Sequence, residues 1–309
     1  MKPSPFPAAN DRSVPERSTD EVPLTFICHG DTLVGVLHRP ASPPKGGVVI
    51  VVGGPQYRVG SHRQFILLAR SLALQGIAAF RFDCRGMGDS DGEFHGFESI
   101  EPDVAAAIDT MMHELPSLRT VVLWGLCDAT LAICIRAQRD PRVGGVVLVN
   151  PWVRTSESHA RAQLRHYYIA RLAQRDFLRK VLRGKVNPIR SCRDLLGNLA
   201  EVFGRSRPGP DGRALNPLAE RMAAELRHYR GNILLIVSGQ DLTAREFEDA
   251  IERSISWRQL CASPRVTRRD LPAADHTFSR REWRDTVADW TQDWVRDLLA
   301  IVSPPDAHT

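Results

Sequence analysis

Short runs of apolar residues alternate with amphipathic stretches along most of the chain. The runs GGVVIVVGG, IAAFRFD, TVVLWG, VGGVVLVNPW and NILLIVSG are continuous and largely β-branched, which is typical of strands buried on both faces of a sheet. Segments of helical length separate them, among them His62 to Gln75, closed by Gly76 in the position of a C-cap, and Ile100 to His113. The alternation predicts an α/β fold with a mostly parallel central sheet and helices on both faces.

The two ends of this pattern carry further elements. Near the start, LTFICHGDTLVGVLHRP predicts two strands joined by a turn at His29-Gly30-Asp31. Near the end, RVTRRDL predicts a last strand, and REWRDTVADWTQDWVRDLLAIV predicts a long helix after it. Residues 1–22 are rich in proline, serine and charge, which indicates a flexible tail.

The alternation is interrupted over residues 154–229, where only helical patterns and a Gly/Pro-rich loop occur. We therefore expect a core in two parts, 23–153 and 230–303, with a helical cap or lid at 154–229 and a tail at 304–309. Residues 151–229 contain 16 lysines and arginines against 7 acidic residues, a charge of +9 in a chain of net charge +5. Either the helices are simply solvated, or this surface attracts acidic substrates, phosphorylated carriers or anionic lipid.

Composition and cysteine usage narrow the class of protein. The first 20 residues lack the apolar stretch of a signal peptide, and no run approaches the roughly 18 apolar residues of a membrane span. The six cysteines are irregularly spaced and include no CxxC pair, so we expect a cytoplasmic protein with reduced thiols and no metal. No nucleic-acid-binding motif accompanies the basic segment, and no organic cofactor is implied. The sequence leaves the oligomeric state open.

One candidate nucleophile lies between a predicted strand and a predicted helix, in the segment from Leu123 to Ala129. A nucleophile elbow, G-x-S-x-G, needs small residues two positions before and after the nucleophile because its turn is sharp. Gly125 and Ala129 hold those positions here, and Cys127 holds that of the nucleophile. A helix N-terminus favours the thiolate. Two alternatives stay open: Cys127 is only a small buried residue, or neighbouring Asp128 is the nucleophile.

Two further residues complete a possible catalytic triad. Asp241 follows the strand NILLIVSG, where a carboxylate can orient a histidine, although it could also cap a helix beginning near Thr243. Glu246 and Asp249 are weaker substitutes for this acid. His276 lies in a loop just past the last predicted strand. The order nucleophile, acid, histidine is that of α/β hydrolases.

Two loops bear on how such a site would bind substrate. The backbone N–H of Asp128 is placed to donate to an oxyanion. The second donor is expected from the loop after GGVVIVV; Pro55 has no N–H, so Gln56 is the first choice and Tyr57 the second. The glycine-rich segment 83–92 lacks the spacing of a phosphate-binding loop, and we interpret it as a tight turn beside the site.

These motifs together resemble the α/β-hydrolase superfamily near its serine aminopeptidase and monoglyceride lipase-like branch. More closely, GGPQYRVGSHRQF, FRFDCRGMGDSDG, WGLCDA, SGQDLTAREF and ADHTF are similar to the exosortase A system-associated hydrolases, type 1, over about residues 24–298. The resemblance implies a bacterial protein that accompanies exosortase sorting and exopolysaccharide genes. The departure from the superfamily is cysteine for serine at the elbow; dienelactone hydrolases share it, but it disfavours amide hydrolysis.

The sequence thus predicts a hydrolase that cleaves an ester, lactone or thioester of a small-molecule or carrier-linked acyl group. Cys127, His276 and Asp241 would form the triad, and Asp128 and Gln56 the oxyanion hole. An acyltransferase on the same fold is one alternative, and a non-catalytic protein that binds an acyl or glycan ligand is another, because fold does not fix function.

Overall fold

The description rests on a computed structural model and covers residues 19–54, 56–153 and 216–302. Within these residues, eight strands form one sheet in the order β1-β2-β4-β3-β5-β6-β7-β8. The strands are β1 Asp20–Cys28, β2 Asp31–Arg39, β3 Gly46–Val51, β4 Ala78–Phe82, β5 Thr120–Leu126, β6 Val143–Val149, β7 Asn232–Ser238 and β8 Val266–Leu271.

Strands β3 to β8 pair in parallel, and the antiparallel hairpin β1–β2 extends the sheet beside β4. The hairpin turns at His29 and Gly30, both with positive φ, as the sequence predicts. The mostly parallel sheet is likewise confirmed. Because the parallel strands run in one direction, the loops after β3, β4, β5, β7 and β8 all leave the sheet at the same edge.

Helices cover both faces of the sheet. They are α1 Gln64–Leu74, α2 Glu101–Glu114, α3 Ala129–Arg139, α4 Pro217–His228, α5 Leu242–Arg253, α6 Ile255–Cys261 and α7 Arg281–Val302. Successive side chains of a strand point to opposite faces, so each buried strand contributes to two cores. On β5, for example, Leu123 joins the core beneath α2 to α6, and Trp124 joins the core beneath α1 and α7.

The first helix begins later than the sequence pattern predicts. His62 and Arg63 have left-handed φ angles of 53° and 63°, so α1 starts at Gln64 after a short 3₁₀ turn over Ser61–Arg63. The N–H of Phe65 donates to the carbonyl of Val59 at 3.2 Å, which folds the loop back onto the helix start. Tertiary contacts of the loop thus override the helical pattern at these two residues.

Most of the predicted lid, residues 154–215, lies outside the described residues. The end of that segment forms α4, whose Met222 and Leu226 are fully buried in the core, and Trp257 donates its indole N–H to the Ala219 carbonyl at 2.7 Å. Helix α4 is therefore part of the packed body, and the extent of a lid stays a prediction. None of the helices within the described ranges has the length and apolar character needed to cross a membrane.

Candidate active site

The turn between β5 and α3 carries Cys127 at the edge where the parallel strands end. Its backbone φ is 64°, in the left-handed region that non-glycine residues rarely adopt. A sharp turn of this kind is what a nucleophile elbow requires, and such strain is concentrated at functional sites. The small residues around it are needed for packing, since a Cβ on Gly125 would lie 2.5 Å from Cδ1 of Ile133 and 3.3 Å from Cβ of Ala129.

Backbone hydrogen bonds fix this turn in place. The Cys127 N–H donates to the Val149 carbonyl at 2.9 Å. The Cys127 carbonyl accepts from the Thr130 hydroxyl at 2.6 Å, from the Thr130 N–H at 3.2 Å and from the Trp152 N–H at 3.3 Å. The elbow is therefore held by strand β6, by the segment after it and by the first turn of α3. Only 6% of the Cys127 surface is exposed.

Asp241 and His276 meet at the same edge, with 2.7 Å between the Asp241 Oδ2 and the His276 Nδ1. The same carboxylate caps α5, because its two oxygens accept from the N–H groups of Thr243 at 2.9 Å and Ala244 at 3.1 Å. The capping role considered from the sequence is thus confirmed, and it coexists with the histidine contact. An anionic acceptor at Nδ1 places the proton there and leaves Nε2 as the basic nitrogen.

Asn150, which was not among the predicted site residues, joins the histidine loop to the sheet. Its side-chain amide donates to the His276 carbonyl at 3.0 Å and accepts from the Ser238 N–H at 2.8 Å. The residue is fully buried and has a φ of 43°. The sequence signal for this role was a polar residue directly before a proline, at the end of the apolar run VGGVVLVNPW.

The loop after β3, which we call the β3 loop (residues 52–54 and 56–60), packs directly against the elbow. A Cβ on Gly53 would overlap the Leu126 carbonyl oxygen, so only glycine allows this approach. The N–H of Gly54 donates to Oδ1 of Asp128 at 2.7 Å. The side chain of Asp128, one residue past Cys127, is therefore turned toward the β3 loop.

Gln56 lies in this loop, but its backbone N–H is already engaged. That N–H donates to the Gly54 carbonyl at 2.7 Å, so it would have to leave this bond to reach a substrate. Its side-chain Oε1 accepts from the N–H of Ser61 at 2.8 Å and from the Ser61 hydroxyl at 3.1 Å. A backbone N–H can only donate, so the amide orientation is fixed and Nε2 faces Gly54. The oxyanion role of Gln56 stays a prediction.

Charged groups tie the β3 loop to the loop after β4, which we call the β4 loop (residues 83–99). Buried Asp83 accepts from the Arg58 N–H at 2.6 Å and also from its guanidinium. The guanidinium reaches the Asp89 carboxylate as well, at 2.6 Å, and the Asp89 N–H donates to Asp83 at 3.1 Å. The β4 loop is thus a tight structural turn beside the site, and the sequence analysis did not identify Arg58 as its partner.

This geometry is that of an α/β hydrolase, and the comparison with protein families agrees. The model of the family described as serine aminopeptidase, S33, matches residues 42–196, about half of the chain. The chain belongs to this family of hydrolases. It departs from the family's description in having a cysteine at the elbow. No curated protein matches the sequence.

Solved structures show the same fold at low sequence identity. An esterase of Pyrococcus furiosus gives a TM-score of 0.61 at 14% identity and covers 90% of this chain and 91% of its own. Est1E of Butyrivibrio proteoclasticus, determined with ferulic acid, gives 0.59 at 17% identity and covers 90% and 99%. A dienelactone hydrolase of Anabaena variabilis gives 0.55 at 17% identity and covers 90% and 98%. These likenesses show the shared fold, and the family match identifies the chain as a hydrolase.

The Asp128 carboxyl is the most perturbed acid beside the elbow of this S33-family hydrolase. Burial raises its pKa from the usual 3.8 to about 6, against the opposing effects of the Gly54 N–H and of the charge on His276. Near neutral pH the carboxylate form predominates, but only by about tenfold. A negative charge next to Cys127 destabilises both the Cys127 thiolate and an oxyanion. The reactivity of Cys127 therefore depends on whether Asp128 is ionised.

The other cysteines that the structure describes are poor nucleophiles. Burial raises the pKa of Cys28 to about 12, with a contribution from its hydrogen bond to Asp103. Burial also raises the pKa of Cys84, Cys134 and Cys261. Their thiols therefore stay protonated near neutral pH.

Proposed function

We propose that this hydrolase cleaves an activated acyl bond, an ester, lactone or thioester, through a covalent acyl-enzyme on Cys127. Cys127 is the nucleophile, His276 the general base and acid, and Asp241 the group that orients the histidine. The observation that carries the proposal is the 2.7 Å contact of Asp241 with His276 at the sheet edge where Cys127 occupies a left-handed turn. A thiolate reacts readily with such activated acyl groups, so we expect esters and thioesters to be hydrolysed faster than amides.

In the proposed cycle, His276 accepts the thiol proton and the thiolate attacks the acyl carbon, so that a C–S bond forms and the carbonyl becomes an oxyanion. The oxyanion collapses, the bond to the leaving group breaks, and His276 gives its proton to the departing alkoxide or thiolate. Water then loses a proton to His276 and attacks the thioester carbon. The C–S bond breaks, the acid leaves, and the thiol is restored.

The oxyanion donors proposed are the Asp128 N–H and Gln56. Because the Gln56 N–H is bonded to Gly54, its side-chain Nε2 is the better candidate for contact with substrate. Removing one oxyanion donor typically raises the barrier by about 3 kcal/mol.

The test compares variants on a panel of short acyl esters and thioesters. Cys127→Ala and His276→Ala should each remove nearly all turnover, and the double variant should lose little more, because the residues act as a unit. Asp241→Asn should be less damaging than either. Cys261→Ala, at a partly buried cysteine on α6, is the matched control and should keep full activity. Full activity in Cys127→Ala would refute the covalent mechanism and favour the ligand-binding alternative.

The biological setting is proposed from the sequence resemblance: a cytoplasmic bacterial enzyme linked to exosortase and exopolysaccharide systems, with a basic lid in the part of residues 154–229 that precedes α4. In a bacterium that carries such a system, deletion of the gene should alter exopolysaccharide or sorted proteins. Restoration of the phenotype by wild type but not by Cys127→Ala would support the link. A deletion without effect on either would contradict it.

A further inference from the structure

A pocket of about 510 Å³ lies between the β3 loop and the β4 loop. Gly54 contributes to its wall, and the N–H of Gly54 donates to the Asp128 side chain, one residue past Cys127. The pocket is therefore linked to the elbow through Gly54 and Asp128. Gln56 also lines it, with Oε1 held by Ser61 and Nε2 directed toward Gly54. A donor thus stands at the end of the pocket nearest the elbow.

The walls of this pocket are apolar and aromatic. Apart from Gln56 and three glycines, the walls that the described residues form consist of Tyr57, Met87, Phe94 and Phe97. The rings of Phe94 and Phe97 meet edge to face with 4.9 Å between centroids. Tyr57 is 50% and Phe94 39% exposed, a high exposure for rings on two facing loops. Such walls favour a flat apolar group, which aromatic side chains bind by offset or edge-to-face contact.

Among the residues that the structure describes, no charged side chain lines the pocket, and the arginines of the two loops are paired. Arg58 is neutralised by Asp83 and Asp89, and Arg85 by Asp103 at 2.6 Å. An ionised ligand group would lose its hydration here without gaining a partner. The group that fits is therefore uncharged.

The order of the strands indicates which half of the substrate enters. Cys127 follows β5, and His276 is anchored on the β6 side of it by Asn150. The pocket lies on the opposite side of β5, above β3 and β4. In an acyl transfer the leaving group must receive its proton from the histidine, so the leaving group points toward β6 and the acyl group points away from it.

We propose that the pocket formed by Tyr57, Met87, Phe94 and Phe97 is the acyl-binding site and selects substrates with an uncharged aromatic or comparably bulky apolar acyl group. This inference rests on the proposed covalent mechanism for the assignment of the two halves. We expect the enzyme to hydrolyse arylacyl thioesters and esters in preference to those with acetyl or ionised acyl groups.

Two isomeric thioesters separate the acyl side from the leaving-group side: the S-methyl thioester of phenylacetic acid and the S-benzyl thioester of acetic acid. Wild type should prefer the phenylacetyl isomer by about tenfold or more in kcat/KM. Phe94→Ala should reduce that preference to about threefold or less while hydrolysis of the acetyl isomer stays near the wild-type value. Tyr57→Ala is a second variant at an exposed ring. Ile27→Ala, 63% exposed on β1, is the control and should keep the preference.

A preference for the S-benzyl isomer that depends on Phe94 would overturn the assignment, since the ring would then belong to the leaving group. Equal rates for both isomers, unchanged in Phe94→Ala, would overturn it too.

A binding measurement separates this inference from the mechanism. In Cys127→Ala, ligand-observed NMR should show the phenylacetyl thioester binding more tightly than its S-methyl acetyl counterpart, and Phe94→Ala should abolish the difference. If wild type turns over neither isomer, the proposed function fails; if this Phe94-dependent binding is absent as well, the pocket assignment fails too.

Discussion

Replacing Asp128 with asparagine should stabilise the protein, by an amount that grows as the pH rises from about 4 to about 6. The carboxyl is partly buried against the β3 loop, and its pKa is raised from 3.8 to about 6. The folded protein therefore holds this proton over a pH range in which the unfolded chain has lost it, so stability falls as pH rises from about 4 to about 6. A rise of this size corresponds to about 3 kcal/mol once the group is fully ionised. Asparagine keeps the acceptor oxygen for Gly54 and cannot ionise.

The assay is urea unfolding of wild type and Asp128→Asn at two pH values, with the free energy taken from midpoint and slope. The variant should be more stable by about 1 kcal/mol near pH 4.5 and by about 3 kcal/mol near pH 8. Asp249→Asn, at an exposed position of the same charge on α5, controls for net charge and should show no such dependence. A stability difference for Asp128→Asn that is the same at both pH values would refute the raised pKa and the partly buried placement of this carboxyl.

Two further predictions concern the elbow cysteine and the histidine loop. Brief treatment of the folded protein with iodoacetamide should modify Cys127 before the other cysteines, as peptide mapping would show; first modification of Cys261 instead would contradict the assignment. Asn150→Ala leaves the Ser238 N–H without its acceptor and the His276 carbonyl without its donor, so unfolding should become easier by about 2–3 kcal/mol and kcat should fall more than KM changes. Asn232→Ala, at the partly exposed start of β7, should do neither.

Much of the fold could be read from the sequence because its signals are local. Continuous β-branched runs give the buried parallel strands, and the long amphipathic segment 281–302 is predicted to the residue because its periodicity is uninterrupted. Boundaries set by tertiary contacts were predicted less well. The helix expected from His62 begins at Gln64, because the left-handed residues His62 and Arg63 precede it.

In the candidate site, too, local signals could be predicted from the sequence and tertiary contacts could not. Cys127, Asp241 and His276 could be proposed from chain order and from the strands that precede them. The contacts around them could not, because they join residues that are not neighbours in sequence. Asn150 holds the loop of His276, and Arg58 and Asp83 join the β3 loop to the β4 loop. The engagement of the Gln56 N–H by Gly54 is a matter of loop conformation, which residue type alone does not specify.

The central claim is that an acyl group becomes attached to Cys127 during turnover, and quenched-flow mass spectrometry tests it most directly. Wild type mixed with an activated ester or thioester and quenched in acid should yield the peptide containing Cys127 with the added mass of the acyl group. Neutral hydroxylamine should remove that mass, as expected of a thioester, and Cys127→Ala should show neither adduct nor turnover. An unmodified Cys127 peptide throughout turnover, or an adduct on another residue, would contradict the account.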